Sequence, residues 1–293
     1  MATFNTKTTF MTHSRSNPSR SSSRYLPRLV AMAQSQSYWA SIESDIETYL
    51  KKAIPIRSPE SVFEPMHHLT FAAPRTTAPA LCVAACELVG GNRIQAMAAA
   101  CAIHLMHAAA YTHEHLPLTD RPRPKPTIQH KFDPNIELLT GDGIIPFGLE
   151  LLARSMDLAQ SNPDKILRVI IEITRASGSQ GIVEGQYREL GVDELSSDIK
   201  IIEYVSNKKE GELHACGAAC GAILGGGAEE EIERLRNFGL YVGTVQGIVA
   251  KNKPGMEEKI EKLKGLALKE LESFKGDKSE LISRLVEPSL CAA

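Results

Sequence analysis

His113-Glu114-His115, with His104, His107 and His130 nearby in sequence, is the stretch whose residue types most suggest metal chemistry. Ligands must converge on one ion. On a helix, residues two apart point about 200° apart, so His113 and His115 do not share a face. The H-E-x-x-H spacing of zinc hydrolases is absent, because His115 follows Glu114 directly. Cys82-x-x-x-Cys86 and Cys216-x-x-x-Cys220 each place two sulfurs on one helical face. A disulfide within one helical turn has poor geometry, and two cysteines without further ligands at finger spacing make a weak zinc site. Spacing alone therefore reads both pairs as small apolar residues at close helix contacts. Gly225-Gly226-Gly227 follows a helical pattern, and Glu229, Glu230 and Glu231 come next. Those carboxylates repel phosphate and suit a helix N-terminus, so this is a capping turn. No metal site is expected.

The elements that carry these residues are all helical. Trp39, Ile42, Ile46 and Leu50 recur at helical spacing, after which Pro55, Pro59 and Pro65 are expected to break the chain. A helix over Pro79–Val89 ends at Gly90-Gly91. Asn92 caps a long Ala-rich helix running to about His115 and stopped by Pro117. Arg121-Pro122-Arg123-Pro124-Lys125-Pro126 reads as an extended loop. Further helices are predicted over Ile136–Ala153, Pro163–Glu189 (with Gly178, Gly181 and Gly185 spaced for tight packing), Ile199–Ile223, Glu229–Val249, Met256–Phe274 and Lys278–Val286. No strand is supported, so the fold class is all-α, a single-domain helical bundle over residues 35–293.

Composition narrows the function classes. The 293 residues carry 33 Lys plus Arg against 35 Asp plus Glu, a balance that gives no electrostatic argument for nucleic acid. Six cysteines in a chain this long do not form a disulfide framework, and no uninterrupted apolar run reaches membrane-spanning length. Residues 1–34 hold Lys7, Arg15, Arg20, Arg24 and Arg28, many Ser and Thr, and no acid before Glu43. That is the composition of an organelle transit peptide, plastid in preference to mitochondrion, and the stretch is expected to be disordered.

Four blocks extend this reading. Cys82-Val83-Ala84-Ala85-Cys86-Glu87-Leu88-Val89-Gly90-Gly91, Leu139-Thr140-Gly141-Asp142-Gly143, Gly185-Gln186 and Gly221-Ala222-Ile223-Leu224-Gly225-Gly226-Gly227 fall in one order along the chain. Together they resemble plant geranylgeranyl diphosphate synthases, trans-prenyltransferases of the all-helical isoprenoid synthase fold. The resemblance runs from about Tyr38 to the C-terminus.

Where the chain departs from that family, the departures share one direction. The family's first motif, D-D-x-x-x-x-D, holds Mg²⁺ that bridges the allylic diphosphate; here the matching run offers Glu114, His115 and Asp120. The second, G-x-x-F-Q-x-x-D-D, is matched by Gly243 to Lys251, with Ala250 and Lys251 at the aspartate positions. Of the basic segment that binds isopentenyl diphosphate, Arg75 alone keeps its charge, and the family's Lys-Thr pair becomes Lys209-Glu210. Arg75, Lys209 and Gln186 are the residual substrate-binding positions. Preorganised charge is usually the largest catalytic term, and losing one donor typically costs about a hundredfold or more in rate. The resemblance thus implies no catalytic residue and no bound cofactor in this chain.

One branch of the family shares this profile: the non-catalytic small subunits of plant heteromeric geranyl diphosphate synthases, which carry two C-x-x-x-C motifs. Phe71-Ala72-Ala73-Pro74 and Glu287-Pro288-Ser289-Leu290 also resemble that branch. The resemblance implies a plastid protein that pairs with a geranylgeranyl diphosphate synthase large subunit, as a heterodimer or heterotetramer, with Mg²⁺ in the catalytic partner. It makes Cys82, Cys86, Cys216 and Cys220 candidates for the partner interface. Three alternatives stay open: a regulator that raises geranylgeranyl diphosphate output, a weakly active prenyltransferase using Glu114 and Asp120, and a binding scaffold unrelated to prenyl metabolism.

Overall fold

The computed structural model describes residues 25–117, 130–155, 162–190 and 198–287. Among them there are only helices: α1 (Tyr25–Ala53), α2 (Glu60–Ala72), α3 (Ala78–Leu88), α4 (Arg93–His115), α5 (Pro134–Arg154), α6 (Pro163–Ser177), α7 (Ile182–Leu190), α8 (Ile199–Ser206), α9 (Glu212–Gly225), α10 (Glu229–Lys251), α11 (Glu257–Glu270) and α12 (Asp277–Ser283). A π-helical turn, Asn207–Gly211, joins α8 to α9, and a 3₁₀ turn, Arg284–Val286, ends the described chain. The all-α expectation holds.

Helix α9 is the centre. Every residue from Leu213 to Leu224 is buried, the pattern of a helix enclosed on all sides. It packs most extensively on α3 and α10, and touches α6 and α4. Two glycine rows, each repeating every fourth residue, set how near its neighbours come. A Cβ on Gly217 would lie 2.5 Å from the Ala78 carbonyl oxygen, on Gly221 1.9 Å from that of Cys82, and on Gly225 2.7 Å from that of Cys86. On α10, a Cβ at Gly239 would lie 2.4 Å from the His214 carbonyl oxygen, and one at Gly243 2.3 Å from that of Glu210. One turn on, a Cβ at Gly247 would come within 2.9 Å of the Ser206 Cβ. The main chains of α3, α9 and α10 therefore approach at backbone range.

Helix ends follow the signals in the sequence. Asn92 Oδ1 accepts from the Ile94 N–H at 3.0 Å, while Gln95 Oε1 accepts from the Asn92 N–H at 2.7 Å, a reciprocal capping box. Gly226 adopts φ 86°, and the Gly227 N–H reaches the Ala222 carbonyl at 2.9 Å. The triple glycine is thus a helix-ending turn, and Glu231 accepts from the Ala228 N–H at 2.7 Å to open α10.

Several expectations need correction. Helix α1 begins at Tyr25, so residues 25–34 of the expected leader are helical; Pro27 falls in the first turn, where a missing N–H is harmless. Residues 1–24 of that leader and the Pro-rich loop lie outside the described residues. Pro65 does not break the chain: α2 runs through it while burying Pro65, Met66, Leu69 and Thr70. The expected Pro163–Glu189 helix is two helices, split at Gly178–Gly181, where Cβ atoms would strike the carbonyls of Thr174 and Ala176. Helix α4, by length and composition, could cross a bilayer (mean hydropathy 1.2 over its best window), but 67% of that window is buried. It is a core helix.

His104 joins α4 to α2 by donating from Nε2 to the Thr70 carbonyl at 2.9 Å. Desolvation there pushes its imidazole down to about 4. The folded chain keeps His104 neutral while the unfolded chain protonates it near 6.5. This contribution to stability is whole above about pH 6.5 and is lost as pH falls towards 4. Its ceiling is about 3 kcal/mol. Urea midpoints measured from pH 7 to 4.5 will fall, and His104→Gln will flatten that slope.

Glycine substitutions give a second check. Gly221→Ala will destabilise the chain by at least about 2 kcal/mol, through overpacking against backbone. Gly265→Ala, in α11 with nothing within 4 Å of its Cβ position, will stabilise it by about 0.5–1 kcal/mol. Equal effects of the two on thermal unfolding would contradict the packing described.

Candidate functional site

Helix α4 brings Glu114 to its last turn, α7 carries Gln186 and Glu189, the π-helical turn carries Lys209, and α10 ends on Lys251. These residues, from positions far apart in the chain, meet in one ion-pair cluster. Lys209 Nζ donates to Glu114 Oε1 at 2.6 Å and to Glu189 Oε2 at 2.7 Å. Lys251 Nζ donates to the other oxygen of Glu189, Oε1. Gln186 Nε2 donates to the Ala110 carbonyl at 3.0 Å and to Glu114 Oε2 at 3.3 Å.

The local structure is shaped for this. At Gly185 a Cβ would lie 2.7 Å from Lys209 Cγ, so the glycine leaves a path for the lysine stem. The wider π turn lets consecutive lysines face α7: Lys208 Nζ reaches the Gln180 carbonyl at 2.8 Å and Glu184 at 3.0 Å. At Gly141 a Cβ would fall 2.4 Å from His113 Nε2. His113 thereby reaches α5, with Nε2 3.3 Å from both the Leu138 carbonyl and Asp142 Oδ1.

Electrostatics keep the cluster charged. Burial acts to raise the Glu189 carboxyl, but the Lys209 and Lys251 ammonium groups outweigh it and hold the carboxyl below its ordinary range. Burial acts to lower Lys209, and Glu114 and Glu189 outweigh it, so its ammonium is held above the usual value.

Mg²⁺ takes near-octahedral oxygen ligands. Here two carboxylates are occupied by two ammonium groups, and among the described residues no group of three or more His, Cys, Asp or Glu is placed to hold a metal. The residues present do not fit a Mg²⁺ cluster. Ala250 contributes a methyl on the exposed end of α10, beside Lys251. His115 turns back along α4, donating from Nδ1 to the Tyr111 carbonyl at 2.9 Å and stacking on the Tyr111 ring at 3.9 Å. Arg75 lies outside the cluster, paired with Glu43 at 3.1 Å on the surface. Asp120 lies outside the described residues.

The four cysteines lie inside the bundle. Cys82, Cys86 and Cys220 have no exposed surface and Cys216 has 3%. Cys82 and Cys86 lie on α3, and Cys216 and Cys220 on α9, where the Cys220 Sγ is 4.0 Å from the Val169 carbonyl of α6. Sequence reasoning missed Glu189, whose only signal was its place one turn after Gly185 on a predicted helix.

A model of the polyprenyl synthetase family matches residues 59–249. The chain belongs to the polyprenyl synthetase family. Within that family, the chloroplastic small subunit 2 of a heterodimeric geranylgeranyl pyrophosphate synthase from Cannabis sativa is 54% identical over 260 residues, covering 85% of this chain and 90% of that one. The solved small subunit of geranyl diphosphate synthase from Antirrhinum majus is 73% identical with a TM-score of 0.83, covering 86% of this chain and 98% of that one. A mint deletion mutant of heterotetrameric geranyl pyrophosphate synthase, solved with ligands, is 61% identical at a TM-score of 0.78, covering 86% and 99%.

Lys209→Met leaves Glu114 and Glu189 facing one another without their shared counter-ion. This will lower stability by about 2–3 kcal/mol, near the lower end of the range for breaking a buried pair. Lys209→Arg will retain most of it. Denaturant melts of the two variants at pH 7 make the comparison.

Proposed function

We propose that this chain is a non-catalytic regulatory subunit. It binds a geranylgeranyl diphosphate synthase large subunit and shifts that partner's product toward geranyl diphosphate, the ten-carbon precursor of monoterpenes. The observation that carries this reading is the Glu114–Lys209–Glu189–Lys251 cluster. It joins residues matched to both of the family's metal-binding motifs and closes them with fixed cations. A diphosphate leaving group needs preorganised positive charge that is free to receive it, and here both ammonium groups are already engaged. Mg²⁺ then belongs to the catalytic partner. The chloroplastic relatives and the basic, hydroxyl-rich N-terminus support the chloroplast as the place of action.

Docking uses surface that the chain leaves apolar. Ile136 and Leu139 project from α5 at 41% and 70% exposure, and Leu167 and Ile171 from α6 at 59% and 47%. On each helix the pair sits three or four residues apart, one stripe. The cysteine pairs lie inside the bundle on α3 and α9, and α9 packs against α6. Binding shifts the partner's product because it favours one conformation of the partner's elongation cavity over another.

The second reading, a regulator that raises geranylgeranyl diphosphate output, is favoured by the likeness to a small subunit of a heterodimeric geranylgeranyl pyrophosphate synthase from Cannabis sativa. One experiment separates the two. Isopentenyl and dimethylallyl diphosphates with Mg²⁺ are given to this chain, to a catalytic geranylgeranyl diphosphate synthase, and to both together. The expected outcome is no product from this chain and a shift to geranyl diphosphate in the mixture. Leu139→Asp combined with Leu167→Asp will abolish both co-purification and the shift. More geranylgeranyl diphosphate without a shift supports the second reading; turnover by this chain alone overturns both.

A further inference from the structure

Helix α5 carries three glycines, and α4 accounts for two of them. A Cβ on Gly141 would fall 2.4 Å from His113 Nε2, and one on Gly148 would fall 3.0 Å from Met106 Cε. Gly143 is different: it is exposed, and nothing lies within 4 Å of its Cβ position. A glycine inside a helix lowers the helix's stability, and no contact within this chain offsets that. One turn on, Pro146 also lies inside α5 and is exposed. Proline has no N–H, so the Asp142 carbonyl lacks its helical donor.

At about 100° per residue, Ile136, Leu139, Gly143 and Pro146 fall on one face of α5. Ile136 is 41% and Leu139 70% exposed. None of the four brings a charge or a side-chain donor to this face. The Asp142 carboxylate turns to His113 Nε2 at 3.3 Å, and Glu150, one turn beyond Pro146, is taken by Arg154 at 2.7 Å. What the face offers is apolar surface, bare backbone at Gly143 and one backbone acceptor. A second copy of this chain fits it poorly. Two-fold pairing sets a patch against itself, which here brings acceptor to acceptor with no donor between them. A chain of different sequence can supply the donor.

We propose that Gly143 and Pro146 mark the point where a helix of the catalytic large subunit crosses α5 at backbone range and donates a hydrogen bond to the Asp142 carbonyl. The partner's residue over Gly143 is small, and a hydroxyl or ammonium donor stands beside it. This rests on the regulatory-subunit reading and continues the stripe of Ile136 and Leu139 named there. It goes beyond that reading in giving a reason for the choice of partner: the crossing is complete only when the second helix brings the donor that α5 lacks. Two departures from a regular helix, each unfavourable in the isolated chain, then serve one contact.

The test reads two quantities on the full chain: its thermal midpoint alone, and its affinity for a plant geranylgeranyl diphosphate synthase. Gly143→Ala and Pro146→Ala should each raise the midpoint, because each restores regular helix, and each should weaken binding by about fivefold. Gly143→Leu should weaken binding at least about tenfold, through overpacking at the crossing. Gly265→Ala, at an open position on α11, is the control: a higher midpoint with unchanged affinity. A stabilised helix that binds less well is not expected of a purely structural position. Wild-type affinity in both Gly143→Leu and Pro146→Ala, with binding lost in Leu139→Asp, overturns the crossing and leaves the regulatory reading standing. Self-association of the wild-type chain in sedimentation, lost in Gly143→Leu, overturns the large subunit as the occupant. Absence of any binding by the wild-type chain overturns the regulatory reading, and the crossing with it.

Discussion

The approach of three helix backbones to one another, α3 on one side of α9 and α10 on the other, is the constraint on which the rest depends. Side chains cannot mediate this contact, because at the glycine positions there is no space for even a methyl group. Dispersion attraction between closely packed backbones, and the burial of Leu213–Leu224 of α9, follow from that proximity. It also fixes geometry. When main chains meet directly, the helices cannot slide or rotate by a fraction of a turn without collision. The ends of α4 and α10, the π turn and α7 thus arrive at fixed places, and the charged cluster can form only because they do.

The cluster itself shows how a polar site can be closed without metal. Each lysine–carboxylate contact gains several kcal/mol of gross Coulomb attraction at an effective dielectric near 20. Desolvation of the same groups offsets most of it. The pairs therefore add little net stability as a set, yet each member depends strongly on the others, since removing one strands a buried charge. What the arrangement enforces is a specific geometry: Glu189 accepts from two lysines at once, and through it the end of α10 is tied to the π turn and to α4.

Much of this was legible in the residues. Helix ends that rest on one side chain or one positive φ, such as Asn92 and Gly226, could be read directly, because capping is a local event. The core of α1 followed from its periodicity. Other features depended on partners distant in sequence. Nothing near Pro65 reveals that the helix continues, because burial of its flank against the bundle compensates for the missing bond. The Gly178–Gly181 break and the π turn are one-turn events that a helical period does not register. At the site, Glu114 and Lys251 were identifiable as altered positions and Gln186 and Lys209 as retained ones. That they compensate one another through Glu189 was not, since charge pairing between residues 20 or more apart leaves no mark on local pattern. The cysteine pairs are the converse case. Their spacing indicated packing, and burial agrees with it.

The two lysines that close the cluster are covalently part of the chain. A metal centre exchanges with its surroundings: it can be stripped by a chelator, refilled, or occupied by the wrong ion, and its state follows the local supply of divalent cations. Ammonium groups on tethered side chains have no such reservoir, and partly enclosed pairs are little affected by screening from salt. The charged cluster therefore has the same composition in every molecule and throughout its lifetime, whatever divalent cations surround it.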